Sequence, residues 1–267
     1  TGGGATTYAW SGGVTNGTAF TPTANATYTV TGTDVNGCSS AGVQSIIVNN
    51  LPAANINTSG PTTFCQGGSV ILTADASNSY LWSNGATTAS ITVNTAGNYT
   101  VTITNANGCS AVSVPTTVTV NTLPSATITA NGPTTFCQGG NVTLVASSGA
   151  SYLWSNGAPT QTISVTAAGT YSVTVTSAAG CTATSTGTIV TVNALPVATI
   201  NPIGSTTFCQ GSLVTLIASA GTSYLWSSGE TTQGIIASVD GPYTVTVTNA
   251  NGCSATSANT NVVVYSL

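Results

Sequence analysis

Residues 96–109 read AGNYTVTITNANGC, and their alternation decides what kind of fold this chain builds. Tyr99, Val101 and Ile103 fall on one side of an extended segment, while Thr100, Thr102 and Thr104 fall on the other. That period of two belongs to half-buried strands, and the N-G pair that follows is a turn signal. The stretch returns as AGTYSVTVTSAAGC at 168–181 and as DGPYTVTVTNANGC at 240–253. Upstream of each copy stands a second motif, PTTFCQGGSVILTA at 61–74, PTTFCQGGNVTLVA at 133–146 and STTFCQGSLVTLIA at 205–218. Cys65, Cys137 and Cys209 are therefore 72 residues apart, and a fixed period of this kind marks a tandem array.

Inside a repeat the order of landmarks is constant: Cys65, Trp82, Tyr99, Cys109; then Cys137, Trp154, Tyr171, Cys181; then Cys209, Trp226, Tyr243, Cys253. A shorter first segment offers only Trp10, Tyr28 and Cys38. Val70 and Leu72, Ile91 and Val93, and Val118 and Val120 mark further strands, and no window sustains a helical stripe. Many short strands with one apolar face indicate an all-β chain of two-sheet sandwiches. A glycine two residues before a strand-opening tyrosine, as in AGNYTV, is similar to the tyrosine corner of immunoglobulin-like sandwiches, with the tryptophan as a core residue of strand C. The junctions NNLPA (49–53), NTLPS (121–125) and NALPV (193–197) leave few linker residues. The expected divisions are 1–50, an incomplete immunoglobulin-like repeat lacking its first strands, then complete repeats at 51–122, 123–194 and 195–267, stacked as a fairly stiff rod.

Charge excludes several functions. Charged residues make up 1% of the 267, lysine, arginine and histidine are absent, and the net charge is −4. Without cations the chain has nothing to neutralise phosphates, which argues against nucleic acid and anionic membranes as partners. The usual general bases and amine nucleophiles are missing as well. No apolar run reaches the length of a membrane helix. Of the four acids, Asp34, Asp75, Glu230 and Asp240, only Glu230 and Asp240 share a repeat and offer a carboxylate pair. The reading is no enzyme, no cofactor and no metal site, since no C-x-x-C occurs and the junctions carry no carboxylates.

Six cysteines are expected as structural disulfides: Cys65, Cys109, Cys137, Cys181, Cys209 and Cys253. The economical pairing is within each repeat, 65 to 109, 137 to 181 and 209 to 253, and Cys38 is left unpaired. A 44-residue loop closed in this way contributes roughly 4 kcal/mol. Bridges of this kind belong to an oxidising compartment. Trp10, Trp82, Trp154 and Trp226, with Tyr28, Tyr99, Tyr171 and Tyr243, are expected in the cores; the rival role for the tryptophans is stacking on sugars. The outward threonine rows supply strand propensity and wetting. Sequons stand at Asn16, Asn25, Asn57, Asn98 and Asn141, out of phase with the repeat.

Taken together, the FCQGG, YLWSNG, AGxYTVTVT-NANGC and NxLP segments resemble the immunoglobulin-like, PKD-like repeats of large Bacteroidota surface proteins, similar to gliding-motility-associated adhesins. The acidic W-x-x-G-D-G turn of PKD domains is absent. The resemblance implies an extracellular, cell-surface stalk, filament or adhesin with no catalytic residues; an array of carbohydrate-binding modules is the alternative. Few charges guard the strand edges, so self-association into a filament or array is expected, with surface glycans as further candidate partners. Aligned on Trp10, Thr1 falls at the position of Thr73. Two accounts stay open: a segment of a longer chain whose Cys38 pairs upstream, or a gap filled by strand addition from a neighbour.

Overall fold

The computed structural model describes residues 4–266, so the readings that hang on Thr1 and Leu267 lie outside the described residues. The chain is all-β, in tandem immunoglobulin-like sandwiches, with no α-helix among the described residues. It divides into two compact units, 1–121 and 122–267.

The first unit opens with one antiparallel sheet of three strands, β1 (Thr7–Trp10), β2 (Ala26–Thr33) and β3 (Ser39–Ile46), in that order. A complete repeat follows, with strands β4 (Ile56–Thr58), β5 (Thr63–Cys65), β6 (Val70–Ala74), β7 (Ser79–Trp82), β8 (Ser90–Val93), β9 (Gly97–Tyr99), β10 (Val101–Thr104), β11 (Ser110–Val112) and β12 (Thr116–Asn121). One layer is β4-β6-β8. The other is built from β5-β12-β9 and β11-β10-β7, with β5 parallel to β12. The second unit contains two copies of this pattern with the same pairings.

Alternation explains the layers. In β6 the residues Val70, Leu72 and Ala74 are buried while Ile71 and Thr73 are exposed. In β10 Val101 and Ile103 are fully buried, and Tyr99 just before them is 8% exposed. These side chains meet Trp82, Ile91, Val93 and Val118 in one core cluster. Equivalent clusters gather around Trp154 and around Trp226, each drawn from a single 72-residue repeat. On the outer face the threonine row is used in cross-strand hydroxyl pairs, Thr104 with Ser110 at 2.8 Å and Thr174 with Thr184 at 2.9 Å.

Two local devices fix the long strands. The tyrosine hydroxyls reach back four residues, from Tyr99 to the Thr95 carbonyl (3.2 Å), Tyr171 to Ala167 (3.1 Å) and Tyr243 to Val239 (3.2 Å), and close the corner before the strand. The final strand also carries a bulge: Thr102 faces Val112 but Tyr99 faces Thr116, so Ser113–Pro115 holds one residue more than the opposing strand. Ser113, Ser185 and Ser257 sit at that point in the three repeats, all buried. Each hydroxyl oxygen accepts the amide N–H of Val101, Val173 or Val245 (3.1, 3.0 and 3.1 Å), which the bulge would otherwise leave unpaired.

Among the described residues the opening sheet has no facing layer. Its strand pairing matches that of β7, β10 and β11, with Trp10 across from Val30 as Trp82 is across from Val101. Tyr8, Trp10, Tyr28 and Val30 are only half-buried there.

Candidate functional site

Cys137 and Cys253 meet at the junction of the last two repeats. A hairpin opened by a short polar side chain, Asn105, Ser177 or Asn249, places the last cysteine of each complete repeat. In the first unit the Asn105 side-chain oxygen accepts the N–H groups of Asn107 and Cys109, both at 3.0 Å, and Gly108 supplies the turn with φ 80°. The amide nitrogen of the same side chain then donates to the carbonyl of Asn50, 3.0 Å away in the segment leading from the opening sheet. Cys109 Sγ lies 3.9 Å from the neighbouring Asn49 carbonyl.

The second unit repeats this arrangement between its two repeats. Asn249 holds Asn251 and Cys253 and donates to the Ala194 carbonyl at 2.9 Å, and Cys253 Sγ lies 4.0 Å from the Asn193 carbonyl. Asn193 ends the last strand of the preceding repeat, where it pairs in parallel with Cys137. Cys137 and Cys253 are joined in a disulfide with a Cα–Cα distance of 5.6 Å and a sequence separation of 116 residues. Cys65 and Cys181, at the same two repeat positions, are also disulfide-bonded. Cys38, Cys109 and Cys209 are free thiols.

This corrects the expected pairing of 65 with 109, of 137 with 181 and of 209 with 253. The cause is the parallel strand. Thr135–Cys137 runs alongside the end of Thr188–Asn193, whereas Cys181 precedes Thr182–Thr184 at the hairpin end of the same sandwich. Two strands, Thr182–Thr184 and Thr188–Asn193, and the three residues between them separate Cys181 from Asn193, a span on the order of 35 Å. A disulfide needs Cα atoms within about 7 Å. Only the hairpin of the next repeat reaches Cys137, and the staple therefore joins two repeats. The TFC strand's parallel partner was the missing signal, and periodicity within a strand does not reveal it.

The other candidate residues fall into place around this. Trp82, Trp154 and Trp226 are 2% exposed, and their indole N–H groups donate to the carbonyls of Thr88, Thr160 and Thr232 (2.8, 2.7 and 2.8 Å). They present no face to a sugar. Trp10 donates instead to the Asn16 side chain at 3.4 Å. Glu230 and Asp240 do line one open groove, of about 480 Å³, with Ser227 and Tyr243, and Asp240 accepts the Val264 amide at 3.1 Å. Asp75 accepts from the side chains of Asn55 (2.7 Å) and Asn57 (3.4 Å), and Asp34 from the amides of Asn36 and Cys38 (both 2.9 Å). No group of three or more metal-ligating side chains occurs among the described residues.

No family model matches the chain, and no curated protein matches it either. Solved structures are similar at low identity. The ICAM-5 D1–D4 ectodomain fragment matches with a TM-score of 0.46 at 12% identity, over 91% of this chain and 84% of that one. The N-terminal eight Ig domains of DSCAM isoform 1.30.30 match at 0.35 and 13%, over 93% of this chain, which spans 41% of the DSCAM chain's length. A structure from a 1.5-MDa bacterial ice-binding adhesin, described for host cell surface retention, matches at 0.32 and 19%, over 82% of this chain and all of that one. The fold assignment rests on strand order and register in the chain itself.

Proposed function

We propose that this chain is an extracellular structural and adhesive repeat protein, part of a stalk or filament at a cell surface, of the kind found in large Bacteroidota adhesins. The observation that carries the reading is the disulfide between Cys137 and Cys253, which ties one sandwich to the next and leaves each core untouched. A bond in that place does nothing for a binding pocket. It limits how far two neighbouring repeats separate under load, and it persists only in an oxidising compartment. The near absence of charge supports solvent-facing strands covered by hydroxyls, with edges that pair with neighbouring copies. In this reading the repeats 51–122, 123–194 and 195–267 are the folding domains, 1–50 is an incomplete one, and the chain is not an enzyme. An array of carbohydrate-binding modules would need aromatic platforms, and the three buried tryptophans supply none. No helix among the described residues is long and apolar enough to cross a membrane.

Single-molecule pulling on the chain between its ends tests the proposal. In oxidising buffer the 116 residues between Cys137 and Cys253 stay hidden, and reductant is expected to release at least about 400 Å of new contour. Release of the full contour without reductant would reject a load-bearing staple, and with it this function.

A further inference from the structure

Repeat 195–267 departs from the two complete repeats before it at positions that lie together. One of its layers consists of the strands Ile200–Ile203, Val214–Ala218 and Gly234–Ala237. Across the outer face of that layer Ile203 stands opposite Thr215, and Thr215 opposite Ile236. Leu213 immediately precedes the middle strand, two residues from Thr215, and alternation brings it to the same face. Ile203, Leu213 and Ile236 are 56%, 59% and 64% exposed. The counterparts of these residues are Asn131, Asn141 and Ser164 in repeat 123–194, and Ser59, Ser69 and Thr92 in repeat 51–122. Positions that are polar in two repeats are aliphatic in the third.

The acids follow the same division. Glu230 and Asp240 stand where the other two repeats carry alanine, at Ala158 and Ala168 and at Ala86 and Ala96. The open groove that these two acids line is also lined by Ile236 and Val239, so the aliphatic face runs into the carboxylates. Both acids are exposed. With no lysine, arginine or histidine in the sequence, no side chain here supplies them a cation. Docking of a further repeat does not account for the face. Repeat 123–194 has a neighbour after it, and its Asn131, Asn141 and Ser164 stay exposed with that neighbour in place. A face left open at an occupied junction is free to take a partner from the side.

We infer that this face of repeat 195–267 binds a segment of a different protein, an extended stretch with aliphatic side chains on one side and a lysine or arginine beside them. The aliphatic side chains cover Ile203, Leu213 and Ile236, and the cation reaches the groove at Glu230 and Asp240. A second copy of this chain lacks the complement, because it has no cation to set against the two acids. An anionic lipid surface is repelled by the same acids. The inference deepens the adhesive half of the proposed function and rests on it, naming the repeat that adheres and the chemistry it takes.

Calorimetric titration of the 267-residue chain with capped peptides is the test. The probes are Lys-Ile-Thr-Val-Thr-Ile-Lys, an analogue with glutamate for lysine, and an analogue with serine for isoleucine and valine. The first should bind at least about tenfold more tightly than either analogue. Ile203→Asn, Leu213→Asn and Ile236→Ser together give the face the residues of repeat 123–194, which folds with them, and should weaken binding about tenfold or more. Glu230→Ala, a change confined to an exposed turn, should weaken it about threefold, an effect that high salt erases; it serves as the test if the triple variant unfolds. No binding of the first peptide, equal affinity for all three, or binding that these variants leave unchanged would overturn the inference. Dimerisation in sedimentation that the triple variant abolishes would also overturn it, by making the occupant a second copy. None of these results alters the outcome of pulling, so the adhesive face and the staple fail separately.

Discussion

Replacing Cys253 by serine should cost the second unit far more than replacing Cys209, although an intra-repeat bridge would make the two equivalent. The native bond closes a loop of 116 residues, and the chain-entropy model assigns such a loop about 5 kcal/mol. In a unit of this size that corresponds to a fall in Tm on the order of 10 to 20 °C. Cys137→Ser should match Cys253→Ser, and the double variant should lose no more than either single one, because a single bond is removed in all three cases. Cys209→Ser removes an exposed free thiol and should stay within about 0.5 kcal/mol of the parent. Equilibrium denaturation in urea of the monomeric chain, under conditions that leave formed disulfides intact, measures all four. Equal losses at Cys209 and Cys253 would refute the junction geometry and restore pairing within repeats.

Three smaller effects follow from single hydrogen bonds. Ser185→Ala leaves the Val173 amide without its buried acceptor and should destabilise by about 1–3 kcal/mol, with Ser185→Thr recovering part of it, read by thermal unfolding. Asn249→Asp keeps the hairpin but loses the donor to the Ala194 carbonyl; hydrogen exchange at the junction should speed up while the core around Trp226 stays protected. Tyr243→Phe removes the tie to the Val239 carbonyl at 3.2 Å and should lower stability by about 0.5–1.5 kcal/mol in denaturant titration.

Much of the fold is written in short-range pattern. The alternation in YTVTIT places Tyr99, Val101 and Ile103 inward, and the structure buries all three. The glycine-tyrosine corner is legible for the same reason, since the hydroxyl bonds a carbonyl only four residues away. What a local pattern does not carry is which end of a sandwich a residue occupies. The parallel pairing of TFC with the final strand joins Cys137 to Asn193 across more than fifty residues and sends the sulfur to the far end from Cys181. Ser113 was likewise silent, because a buried hydroxyl at a bulge looks in sequence like any outward serine. Trp10 shows the opposite limit: the motif is intact, but the strands whose residues bury Trp82 have no counterpart among the described residues of the opening segment.

The junction disulfide also sets a timetable for biosynthesis. On a ribosome, Cys253 is made 116 residues after Cys137, an interval of roughly 6 to 23 s. During that wait Cys181 is already present and nearer in sequence. If oxidation comes before the sandwich forms, the nearer pair has the advantage in loop closure; once the strands have assembled, that pair is held apart. Correct stapling therefore favours a chain that folds each repeat while its thiols are still reduced and oxidises only after the next repeat has docked.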